Sequence, residues 1–110
     1  MNEIVMMIGI YCSIFSSQDF HLSKYRKKTA CSSTELIIKE SKKNSIDQDI
    51  IFALIYVESA WKKTAVSSAN ACGLTQVIPK YTGKITKKYT CSQLKIPRNS
   101  IRAGIKTLKF

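Results

Sequence analysis

The chain has 110 residues, a net charge of +11 and four glycines, which is one small domain with a single core. A doubly wound nucleotide-binding sheet or a (β/α)₈ barrel needs far more chain, and there is no Gly-rich phosphate loop. Hydrophobic residues at 45% and charged residues at 23% are globular values that exclude wholesale disorder.

Residues 1–17 form an apolar N-terminal segment. The uncharged run from Ile4 to Phe15 is too short to span a bilayer as a helix but has the length of the apolar part of a secretory signal, with Ser13, Ser16 and Ser17 as small residues for cleavage. The preceding Met1-Asn2-Glu3 carries no Lys or Arg, so the alternative is a buried N-terminal helix. Export is the expectation, to the periplasm, the cell envelope or a phage virion. If the segment is removed, Cys12 leaves with it, Cys72 and Cys91 become the natural disulfide pair and Cys31 is left over. In a reducing compartment all four stay thiols. With one histidine and no Cys-x-x-Cys pair, neither a zinc site nor another metal is expected, and no cofactor is called for.

Residues 18–31 are polar and basic without clear periodicity and read as a linker. Its Lys24-Tyr25-Arg26-Lys27-Lys28 run is expected to be solvated surface. No DNA- or RNA-binding motif accompanies it, so no nucleic-acid partner is expected.

From Ser32 the pattern is helical. Ser32-Ser33-Thr34-Glu35 offers a capping box, and Leu36, Ile37 and Ile38 face away from Lys39, Glu40, Lys42 and Lys43 until Asn44 interrupts. Ser45-Ile46-Asp47-Gln48 is a second start signal, with Asp47 and Asp49 suited to the positive end of a helix dipole. Ile50 to Val57 is apolar on nearly every face, which predicts a helix central to the core. Directly after it stands Glu58. Such a carboxylate is either an ion-paired or exposed helix-end group, or one whose dry surroundings hold a proton near neutral pH.

Charge divides the chain at the same point. Residues 1–58 hold seven bases and all seven acids, while residues 59–110 hold eleven bases and no acid. The second half should therefore attract an anionic polymer or surface, of which nucleic acid, anionic lipid and bacterial wall are examples.

Several short motifs follow Glu58 in a fixed order: Glu58-Ser59, the loop Ala65-Val66-Ser67, Gly73-Leu74-Thr75-Gln76 and Pro79, then Leu94, Pro97, Asn99, Ile101 and Gly104. This set, spanning Ser45 to Phe110, resembles the catalytic domain of the lytic transglycosylases, whose fold is related to goose-type lysozyme. Thr75 stands where the family has Met. The resemblance implies a mainly α, lysozyme-like domain over residues 32–110. It also implies peptidoglycan glycan strands as partner and cleavage of the β-1,4 bond between N-acetylmuramic acid and N-acetylglucosamine. Ordinary glycosidases need two carboxylates. The family uses one, because the substrate's acetamido group assists and its own 6-hydroxyl attacks, leaving a 1,6-anhydro sugar.

Glu58 is then the acid and afterwards the base, with Tyr56 and Val57 expected to keep it dry. Ser67, Gly73 and Gln76 are the substrate-binding candidates: a hydroxyl for Glu58 or the acetamido group, a glycine that lets a sugar approach the backbone, and an amide for sugar hydroxyls. Each has a plainer alternative as turn serine, turn glycine or surface amide. Family members continue into further helices and a Tyr-Asn segment beside the acid. Here the sequence stops at Phe110, so the domain reads as incomplete at its C-terminal end, with Ile101, Ile105 and Leu108 left without a surface to pack on. The competing function is a non-catalytic cationic module that binds wall polymer or membrane.

Overall fold

The computed structural model describes residues 2–84 and 87–109, and among them the regular structure is helical. The expected helix end at Phe110 and part of the basic segment from Lys84 to Lys88 lie outside the described residues.

Helix α1 spans Glu3–Ser16, where the Asn2 side chain accepts from the Val5 N–H at 2.9 Å and Glu3 occupies the favourable first turn. It is packed rather than free. Phe15 is buried in the core, and the Tyr11 ring lies 4.2 Å from that of Phe52. The Tyr11 hydroxyl donates to Asp49 and accepts from Gln48 Nε2 at 3.1 Å. Burial, and then the bond to Asp49, push the Tyr11 phenol above its ordinary pKa. Cys12 is joined to Cys31. With residues 1–17 in place Cys31 has this partner, because the helix that follows lies along α1 and brings the two sulfurs together.

Helix α2 spans Lys24–Lys43, which corrects the expected linker at 18–31 and the expected start at Ser32. Ser23 caps it by accepting from the Arg26 N–H at 3.2 Å, and Lys27 Nζ donates to the Ser17 carbonyl at 2.8 Å, clasping the end of α1. Its buried residues are Thr29, Ala30, Ser33, Thr34, Ile37, Ile38 and Ser41. That stripe repeats every three to four positions but is built from small and hydroxyl side chains over its first half, so α1 packs closely on it. Thr34 settles its hydroxyl on the Ala30 carbonyl at 2.9 Å. Asn44 ends the helix.

Helix α3 spans Gln48–Ser59, started by Asp47, whose carboxylate accepts from the Asp49 N–H at 2.9 Å. Ile51, Phe52 and Ile55 fill the core between α1, α2 and the later chain. Ile50, Tyr56 and Val57 are exposed, so α3 has one buried face and one open apolar face, not the all-round burial expected of it.

A short 3₁₀ turn at Pro79–Tyr81 leads to α4, Cys91–Leu94, where Thr90 and Gln93 form a reciprocal capping box. Helix α5 spans Pro97–Lys109. Ile101 and Ile105 are fully buried in the main core with Trp61 and Leu74. The apolar stripe of α5 thus does pack, against α2 and in the core shared with Trp61 and Leu74, and only Leu108 is left half-exposed. A second cluster of Cys72, Val77, Tyr89, Leu94 and Ala103 fastens the loop to α4 and α5.

Candidate active site

The site is built where α3 ends. Ala60 and Trp61 both take left-handed backbone, with φ of 47° and 63°, and the Ala60 N–H closes on the Tyr56 carbonyl at 3.0 Å. Two consecutive non-glycine residues in that region are costly. The turn is held because the Trp61 ring is fully buried, edge-on to Phe15 at 5.3 Å and tilted against Phe52 at 6.1 Å. This stop leaves Glu58 in the last helical turn, exposed to solvent.

No ion pair among the described residues involves Glu58; those present join Lys39 to Glu35 and Arg102 to Glu40. The ion-paired alternative for Glu58 therefore drops out. So does the dry wall, because Tyr56 is 45% and Val57 78% exposed. Consecutive residues on a helix point about 100° apart, so Tyr56 and Val57 point away from the direction that carries Glu58.

After Trp61, the loop that carries Ser67, Gly73 and Gln76 is stitched by its own backbone. Ser67 N–H donates to Ala71 O at 2.9 Å, Cys72 N–H to Val77 O at 2.9 Å and Gly73 N–H to Ala65 O at 2.9 Å. Cys72 is bonded to Cys91 of α4. Thr75 is anchored on α5: its N–H donates to Ser100 Oγ at 3.0 Å and its hydroxyl to the Ser100 carbonyl at 2.7 Å. Gly104 makes that contact possible, since a Cβ there would sit 2.5 Å from Thr75 Cβ. A threonine in this position is thus matched by a serine and a glycine on α5.

The three binding candidates differ in what the fold leaves free. Gln76, at φ 54°, spends Nε2 on the Ala65 carbonyl at 3.1 Å and the Gly73 carbonyl at 2.9 Å, so Oε1 remains as its polar atom. Ser67 accepts from the Ala69 and Ala71 N–H groups at 3.2 and 3.1 Å, which makes it a turn serine with its own O–H still to donate. Gly73 is buried with φ 81°, and a Cβ would collide with the Leu94 carbonyl oxygen and lie 2.8 Å from Ser100 Oγ. Glycine is required there by the approach of α4, which corrects the idea that it opens the backbone to a sugar.

A hollow of about 430 Å³ opens between α3, this loop and α5, with Leu54, Gln76, Tyr81, Gly104 and Leu108 in its wall. Leu54 lies four residues before Glu58 and shares its helix face. The hollow therefore meets α3 at Leu54, one turn before the carboxylate, and Gln76 is the candidate that lines it. Glu58, Ser67 and Gly73 do not line it. Tyr81, which in the sequence is one of three aromatic residues with Tyr89 and Trp61 that suit a sugar face but read first as packing, is 56% exposed in its wall. The described residues contain no cluster of three or more groups able to hold a metal.

A family model described as Transglycosylase SLT domain matches residues 35–110. Among curated proteins, the chain is 38% identical over 76 residues to the membrane-bound lytic murein transglycosylase C of Haemophilus ducreyi, covering 63% of this chain and 21% of that protein. It is 45% identical over 49 residues to the protein of the same name from Glaesserella parasuis, 44% of this chain and 14% of that one. The Haemophilus influenzae protein of that name is 36% identical over 80 residues, 66% of this chain and 22% of its own. The chain spans about a fifth of the length of these relatives. No solved structure gives a significant match.

Proposed function

The chain belongs to the transglycosylase SLT domain family, with the mainly α lysozyme-like fold that goes with it, and from that premise we propose that it is a peptidoglycan lytic transglycosylase with Glu58 as its acid and base. The observation that carries the reading is that no second carboxylate stands near Glu58 on its helix or anywhere after it in the sequence. Glu58 stands in the last turn of α3, one turn after Leu54 in the wall of the hollow, and no acid follows it in the sequence. On its own helix the next carboxylate, Asp49, is nine residues away, about 13 Å along the axis. Paired glycosidase carboxylates sit roughly 5–9.5 Å apart.

A glycan strand lies along the hollow with the bond between N-acetylmuramic acid and N-acetylglucosamine at Glu58. The carboxyl protonates the glycosidic oxygen, the acetamido group supports the anomeric carbon, and the carboxylate then takes the proton of the 6-hydroxyl as it closes the 1,6-anhydro ring. Gln76 Oε1 accepts from a sugar hydroxyl and the Ser67 O–H donates toward the acetamido group or Glu58. Because the protein leaves Glu58 open, the bound sugar rings supply the water exclusion. Two disulfides fit an oxidising cell-envelope compartment, and the acid-free second half supports adsorption to the wall.

The exposure of Glu58 favours a second reading, a cationic wall-binding module without turnover. Glu58→Gln separates the two: it preserves shape but removes the transferable proton. Solubilisation of purified sacculi should fall by about 10²–10⁴-fold, while binding to them survives. Equal solubilisation by both proteins would discard Glu58 as the acid, and none by either would leave the binding module.

A further inference from the structure

Nothing in the reaction uses the outward face of α1. From Ile4 to Gln18 the chain has no charged side chain, yet Val5, Met6, Ile10 and Ile14 are 49, 53, 54 and 48% exposed. With Gly9 and Ser13 between them, these positions recur every four residues and make one stripe along the helix. One edge of the stripe continues onto α3, where Ile14 shares an apolar hollow with Tyr56 and Val57. Its other edge is cationic: Ser16 shares a hollow with Lys24, Lys27 and Lys28 at the start of α2. An apolar face of this extent bordered by lysines is what an interfacial helix presents to lipid.

We propose that α1 lies flat on an anionic lipid bilayer, with this stripe in the headgroup boundary and Lys24 and Lys28 against lipid phosphates. At 14 residues the helix is about 21 Å long, short of the ~30 Å needed to cross, so it rests on the surface. Charge selects lipid over a second copy of the chain. Two copies sharing this face would set like-charged edges side by side on molecules of +11 each, whereas an anionic leaflet supplies the opposite charge. The bond from Cys12 to Cys31 and the burial of Phe15 hold the opposite side of α1 against the protein, which fixes the stripe outward.

The test is co-flotation of the oxidised full chain with phosphatidylcholine vesicles, with and without phosphatidylglycerol. No glycan is present, so the transglycosylase reading can fail without touching this result. Binding should require phosphatidylglycerol and weaken with salt. Ile10→Asp should reduce it about tenfold, and Lys24→Gln with Lys28→Gln about fivefold per lysine. All three side chains are exposed, and circular dichroism checks that the variants fold. The proposal is overturned by equal binding of Ile10→Asp, by indifference to phosphatidylglycerol, or by a lipid-free dimer that Ile10→Asp dissolves. Recovery from the producing cell of a chain that begins after Ser17 would overturn it as well.

Discussion

The two disulfides close loops of equal length, each joining partners 19 positions apart in sequence, yet they hold very different structures. Cys12–Cys31 ties a helix whose one charged residue is Glu3 to α2 across a stripe of small side chains. Cys72–Cys91 ties the loop of Gly73 and Gln76 to α4, in a region where backbone, side chains and two glycines interlock. The first region is a packed helix pair that tolerates change on its outer side. The second has almost no slack, and the candidate substrate hollow is cut into it.

The glycines make the contrast sharpest. Gly73→Ala forces a Cβ onto the Leu94 carbonyl at a positive φ, and should cost at least about 3 kcal/mol from strain and overpacking together. Gly9 has nothing within 4 Å of a Cβ, so Gly9→Ala in α1 should stabilise by about 0.5–1 kcal/mol through helix propensity. Urea unfolding of both variants checks the pair of signs. A destabilised Gly9→Ala with an unharmed Gly73→Ala would invert the comparison.

Removing either disulfide should cost a similar amount, about 3 kcal/mol for loops of this size in the chain-entropy model, but with different consequences. Cys72→Ser with Cys91→Ser loosens the loop that holds Gln76, so sacculus turnover should drop even where the chain remains folded. Cys12→Ser with Cys31→Ser should lower stability while turnover of the folded protein is retained. Rates measured well below each unfolding midpoint test this, and equal losses of turnover would show that the two regions are not separable.

A smaller effect lies in the α1–α3 contact. Tyr11 holds its proton above the ordinary range, chiefly through burial. The neutral phenol is the form the folded state favours, so its contribution is fully present below the unfolded pKa of about 10 and fades as pH rises through the higher folded value. Tyrosinate absorbance should show one tyrosine titrating late, and Tyr11→Phe should abolish that late component.

The sequence makes α3 readable because polar start residues before an apolar run are local chemistry, although the cap is Asp47 and the Ser45 of the start signal takes left-handed backbone two residues earlier, and the order of short motifs after Glu58 fits one family. The first half of α2 is hidden, since Thr29, Ala30, Ser33 and Thr34 bury a helical stripe without large apolar side chains, and periodicity of hydrophobicity does not register it. Continuous apolarity in α3 shows that one face is buried without showing which, so Tyr56 and Val57 read as a wall for Glu58 when they face outward. Gly73 and Gln76 mark a special turn in sequence. That their partners are Leu94 and Ala65 depends on how α4 and the loop fold back, which no local pattern carries.

The central claim is that one carboxylate, at the end of α3, cleaves glycan without water. Its most direct test is mass spectrometry of sacculi digested by the full oxidised chain in ¹⁸O-labelled water. Anhydro-muropeptides free of ¹⁸O are the predicted products. Reducing-end products carrying ¹⁸O would contradict it, because they require an activated water and a second group to activate it.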